Sequence, residues 1–142
     1  MIAAHVLLLG PLMSANLVEV RSQCRRPGER SGVRPLMAIL RSQHQADDVI
    51  YVGRKTVAAY RYYSLGNSGP AMVMVTSGPR TLGDTLRRRP SREVWFLCTI
   101  SNDLAEDERG MVLAWLDAHG RRLGDWDARP SHLYRYEVSR GG

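Results

Sequence analysis

Three short apolar runs, separated by stretches of helical periodicity, constrain the fold of this chain most strongly. They are Val49-Ile50-Tyr51-Val52, Ala71-Met72-Val73-Met74-Val75 and Val94-Trp95-Phe96-Leu97-Cys98-Thr99-Ile100. Strands covered on both faces read as such continuous runs, whereas a strand with one face in water alternates. The intervals between them carry helix signals. Pro35 suits a first turn, and Leu36, Ile39, Leu40 and Gln43 follow helical spacing over 34–45. Thr56, Ala59, Tyr60 and Tyr63 share one face of a helix over 54–65. Ser77 is placed to cap a third helix, with Pro79 in its first turn and Leu82 and Leu86 on its inner stripe. Arg87-Arg88-Arg89 complements the helix dipole at its end, before Pro90.

A fourth helix is expected from Asp103 to Gly120. Acids at 103, 106, 107 and 108 sit where the dipole favours them, and Met111, Val112, Trp115 and Leu116 are expected on its inner face. Two strands, 121–127 and 132–138, then flank the turn Ala128-Arg129-Pro130-Ser131, with Leu133 to Val138 alternating loosely as an edge strand does. The order α-β-α-β-α-β-α-β-β predicts an α/β fold. It is a small three-layer Rossmann-like domain, mostly a parallel sheet, with a C-terminal antiparallel hairpin or edge strand.

The 142 residues suffice for one domain with a sizeable core. Two cysteines, Cys24 and Cys98, are too few for a disulfide framework. The net charge is +6, and Lys55 is the only lysine among 20 basic residues. The arginines are spread along the chain, with knots at Arg25-Arg26 and Arg87-Arg88-Arg89, so coding bias explains them better than a phosphate-binding face. Residues 1–18 form a hydrophobic segment without Asp, Glu, Lys or Arg. It is slightly short for a membrane span, carries Pro11, Ser14 and Asn16, and lacks the basic start of a signal peptide. It reads as the end of a transmembrane helix or an anchor, with a buried element of the domain as the third choice. A basic linker over 19–33 follows, and the α/β domain is expected over 34–139.

In such sheets ligands sit at the carboxyl ends of the strands. Gly53, Arg54 and Lys55 follow the first strand, and Ser77 and Arg80 follow the second. Together they form the candidate anion-binding site, a glycine and cations beside helix starts. The spacing matches neither a P-loop nor a dinucleotide fingerprint. His5, His44, His119 and His132 lack the paired spacing of metal ligands. Cys98 lies inside an apolar strand, and Cys24 has arginine neighbours but no partner base. Ser77, Ser101, Asn102 and Cys98 would need His44 or His119 as base for hydrolase or transferase chemistry. No catalytic residue, metal site or cofactor is assigned.

Several segments resemble, in order, one known pattern. They are Asp47-Asp48-Val49-Ile50-Tyr51-Val52, Ala58-Ala59-Tyr60-Arg61-Tyr62-Tyr63, Val94-Trp95-Phe96-Leu97, Leu116-Asp117-Ala118-His119-Gly120-Arg121-Arg122-Leu123 and Leu133-Tyr134-Arg135-Tyr136. Together they resemble the C-terminal soluble domain of bacterial multi-pass membrane glycosyltransferases. These are protein-mannosyltransferase-like and aminoarabinose-transferase-like enzymes that use polyprenyl-phosphate sugars. Gly53-Arg54-Lys55 departs from the Tyr-rich or Gly-Ala stretch that the family often has after its first strand. The family's catalytic acids lie in early loops between membrane helices, so none carries over to a residue here. The resemblance implies a non-catalytic accessory domain, membrane-associated and outside the cytoplasm. Its partners would be the membrane or the membrane-embedded part of a glycosyltransferase, with a lipid-linked sugar or acceptor in reach. The alternative is a soluble phosphate-ligand or nucleic-acid binding α/β module; nucleic acid is the less favoured ligand.

Overall fold

A computed structural model of the chain describes residues 32–65, 73–75, 78–89 and 92–139. The chain divides into two units, residues 1–30 and 31–142. The apolar segment 1–18 and most of the linker lie outside the described residues.

The first helix, α1 (Val33–Gln43), buries Val33, Leu36, Met37 and Leu40, spaced i, i+3, i+4 and i+7. Strand β1 (Val49–Val52) is buried throughout. A 3-10 turn (Arg54–Thr56) leads into α2 (Val57–Ser64), which buries Tyr60. Strand β2 (Val73–Val75) precedes α3 (Pro79–Arg87), whose Leu82 is buried; Pro79 starts this helix as its fixed φ allows. Strand β3 (Glu93–Thr99) precedes the long α4 (Asp103–His119), then β4 (Gly120–Ala128) and β5 (Ser131–Val138). The cap of α4 is Asn102, whose side chain accepts the Ala105 N–H at 3.0 Å, one residue before the expected Asp103 start. Among the described residues no helix is long and apolar enough to cross a membrane.

The five strands lie in the order β2-β1-β3-β5-β4. β1 runs parallel to β2 and β3, while β5 is antiparallel to β3 and to β4. The fold is therefore α/β with a mixed sheet, parallel over β2-β1-β3 and antiparallel where the expected C-terminal hairpin β4–β5 joins one side. The expected positions of the last two strands are exchanged. β5 lies inside the sheet because Leu133, Tyr134, Tyr136 and Val138 are buried, while the largely exposed β4 forms the edge.

Side chains alternate across the sheet into two cores, which accounts for the continuous apolar runs. Val49, Tyr51, Val94, Phe96, Cys98, Tyr134 and Tyr136 pack with Leu82 of α3 and with Val112 and Leu116 of α4. Ile50, Val52, Trp95, Leu97 and Leu133 pack on the other face with α1 and with Tyr60 of α2. Asp48, expected only to stop a helix, is itself buried. Its Oδ2 accepts the Trp95 indole N–H at 2.9 Å and the Gln45 N–H at 2.8 Å, fixing the entry to β1.

Candidate functional site

The chain leaves β1 toward the face covered by α1 and α2, and leaves β3 toward the face covered by α3 and α4. Connections that diverge this way mark the carboxyl ends of the two strands as the crevice position, where ligands usually sit in open α/β sheets. The crevice is where Gly53, Arg54 and Lys55 lie. The Gly53 N–H donates to Leu97 O at 2.9 Å, tying the end of β1 to β3. A Cβ on Gly53 would lie 3.3 Å from the Cβ of Cys98, so glycine permits this close approach.

At the crevice the chain's own side chains take the places a ligand would use. Glu108 of α4 is only 8% exposed. Its carboxylate accepts the Arg54 backbone N–H, at 3.4 Å to Oε1 and 3.2 Å to Oε2. The Arg54 guanidinium Nε stands 3.8 Å from Oε1, although most of that side chain is exposed. The Tyr51 hydroxyl donates to Glu108 Oε1 at 3.4 Å and accepts the Gly78 N–H at 3.1 Å. Gly78 has φ of 99°, a conformation that favours glycine, and that backbone turn aims its N–H at the phenol. Two backbone donors from the loops after β1 and before α3 thus converge on a Tyr–Glu pair. Burial, and next the Glu108 charge, push the Tyr51 phenol up to about 12. The phenol therefore stays protonated as donor to the carboxylate.

Beside this pair, the Thr56 hydroxyl donates to Thr99 Oγ1 at 3.1 Å, and Thr99 Oγ1 shares a 2.8 Å hydrogen bond with Ser131 Oγ. Thr56 and Ser131 have no exposed surface. The row joins the 3-10 turn before α2, the end of β3 and the start of β5, so buried polar groups find partners within the chain.

The residues singled out from sequence are distributed as follows. Gly53 and the Arg54 main chain belong to the crevice wall. The side chains of Arg54 and Lys55 and the residue Arg80 are exposed. Ser77 lies outside the described residues. His44 and His119 bond their Nδ1 atoms to the carbonyls of Leu40 and Trp115, at 2.8 and 2.7 Å, within their own helices. Both helices end away from the crevice, so neither histidine serves Ser101, Asn102 or Cys98 as a base. Burial pushes the Cys98 thiol up to about 12. Among the described residues no group of three or more His, Cys, Asp or Glu could hold a metal ion.

The sequence reading missed Glu108 as a site residue, grouping it with acids that favour a helix start. The signal was its phase. Ala105, Glu108, Val112 and Leu116 form the buried stripe of α4, whereas Met111, expected inside, is 57% exposed.

A second polar cluster lies under α4 near β4. The Tyr136 hydroxyl donates to Asp117 at 2.6 Å and accepts from Arg122 Nε at 2.7 Å, and the Arg122 guanidinium lies 5.4 Å from the centroids of both Tyr134 and Tyr136. At the opposite end of the sheet from the crevice is an open cavity of about 630 Å³. Arg92, His119, Arg121 and Glu137 are among its lining residues, and Arg121 there is already bonded to Glu137 at 3.1 Å. No family model, curated protein or solved structure matches the chain.

Proposed function

We propose that the α/β unit is a non-catalytic accessory domain, similar to the soluble C-terminal domain of bacterial multi-pass glycosyltransferases. In this reading it works beside a membrane-embedded sugar-transfer core that uses a polyprenyl-phosphate donor, with the domain outside the cytoplasm. The three-layer, Rossmann-like description belongs to the same proposal, with β4 and β5 as an antiparallel extension of the parallel part.

One observation carries the non-catalytic part. Glu108 holds the Arg54 N–H, and through Tyr51 the Gly78 N–H is held as well. An anionic substrate at the strand ends would have to compete with a buried carboxylate for these donors and would meet its charge. The same observation disfavours the phosphate-module alternative. Support for the membrane part is the ordered resemblance of the five segments and the apolar stretch 1–18.

The test is membrane fractionation of the full chain beside a chain starting at Ser31. The full chain is expected to stay with membranes through high-salt and carbonate washes while the shorter one is released. Release of both overturns the membrane link. A thermal-shift titration with inorganic phosphate tests the other part. No stabilisation is expected, and a rise abolished by Arg54→Ala and Arg80→Ala would favour the phosphate module instead.

A further inference from the structure

We infer that β4 is a pairing edge for a second copy of this chain, joined antiparallel to its own counterpart across a two-fold axis between Leu123 and Gly124. The inference stands on backbone geometry and does not depend on the proposed function.

The direction of the backbone groups of β4 follows from its neighbours. Ser139 N–H donates to His119 O, so His119 faces β5; Gly120 and Arg122, one and three residues on, therefore face away from it. At the hairpin end, Ile100 N–H donates to Pro130 O, so Pro130 faces β3. Ser131, Leu133 and Arg135 then face β4, and their register partners Ala128, Trp126 and Gly124 face back. Asp125 and Asp127 are left facing outward. The register shift between Arg122 and Gly124 marks a bulge that offsets the alternation by one residue. The outward backbone groups are those of Gly120 and Arg122 before the bulge and Asp125 and Asp127 after it. Arg122 and Asp125 lie on one face, because their partners Tyr136 and Tyr134 share one core.

An exposed edge strand is a template for pairing, and scattered charges or a bulge ordinarily block it. Here the charges are sorted by sign. In an antiparallel pair with its own copy, Arg122 faces Asp125 and Gly120 faces Asp127. All four outward residues then meet outward residues, and each facing pair can exchange two N–H···O bonds. No other register of β4 on itself matches all four. Within one chain Arg122 and Asp125 already meet at 3.4 Å; in this register each also stands directly across from its opposite charge in the second copy, the favourable cross-strand arrangement, whereas a parallel pairing would oppose like charges. The result is one continuous sheet through both copies, an isologous interface that closes on itself.

Sedimentation analysis of the full chain in mild detergent, over a range of concentrations, tests the inference. A concentration-dependent dimer is expected. Asp125→Pro removes an outward N–H that the β4–β5 ladder does not use, and Asp125→Arg sets like charges opposite Arg122. Each should weaken dimerisation by at least about tenfold while circular dichroism remains that of the wild type. A folded chain that stays monomeric at every concentration overturns the inference. So does a dimer that Asp125→Arg leaves unchanged, and that variant decides the matter should Asp125→Pro fail to fold.

Discussion

Replacing Glu108 tests whether the crevice is held shut by the chain's own carboxylate. In the folded protein this side chain accepts the Arg54 N–H at 3.2 Å and the Tyr51 hydroxyl at 3.4 Å. Hydrogen bonds to a charged acceptor contribute roughly 1.5–3 kcal/mol each, but these two are long, so about 1 kcal/mol apiece is the reasonable share. Glu108→Ala also leaves both donors without an acceptor at a buried position, a further cost of about 1 kcal/mol after water has entered beside the exposed Arg54 side chain. The total is about 2–3 kcal/mol, which corresponds to a fall in Tm of about 10 °C for a domain of this size. Glu108→Gln keeps the shape and one acceptor oxygen, so about half of that loss is expected. Urea denaturation followed by tryptophan fluorescence gives both values, with an unchanged m-value showing that the folded state is the same. Should Glu108→Ala lie within about 0.5 kcal/mol of wild type, the convergence of donors on this carboxylate has no energetic weight and the argument fails. A more stable Glu108→Ala would refute it differently. It would mean that the buried carboxylate is kept at a cost, as residues at functional sites are.

Three further outcomes follow from the same packing. In a Cys24→Ser background, native Cys98 should react with iodoacetamide at least about a hundredfold more slowly than in urea, because burial pushes its thiol up to about 12 and withholds the thiolate. Tyr51 and Tyr136 are both pushed up to about 12, mainly by burial and then by the neighbouring carboxylates Glu108 and Asp117. In the unfolded chain both titrate near 10, so between pH 10 and 12 the folded state binds more protons and stability falls as pH rises. Urea midpoints measured from pH 9 to 11.5 should show that decline, and Tyr51→Phe should flatten it. Gly120→Ala should cost about 1–3 kcal/mol by chemical denaturation, because the new Cβ would fall on the backbone carbonyl of Glu137 and force β4 and β5 apart.

The apolar runs of β1 and β3 were legible because burial on both faces removes alternation, a property each run carries by itself. Strand order was not, because pairing joins residues far apart in sequence, such as Leu97 with Leu133. The exchange of the last two strands still had a local trace: Leu133, Tyr134, Tyr136 and Val138 are denser in apolar groups than Gly120–Ala128, which interleaves Arg and Asp as an edge requires. The loop after β1 was also legible, since Gly53 marks the departure from that strand. What fills it was hidden, because the acceptor for the Arg54 N–H comes from 54 positions further along the chain. Four acids open α4 or its first turns, and all suit the helix dipole, so charge alone cannot single out Glu108. Only the helical phase does so, since Glu108 shares its stripe with Ala105, Val112 and Leu116. The distinction has chemical consequences. A carboxylate on the solvent side of α4 would leave the backbone donors at the crevice open to an anion, whereas one on the buried stripe occupies them. One turn-phase in a helix thus separates a ligand-binding strand end from a self-filled one.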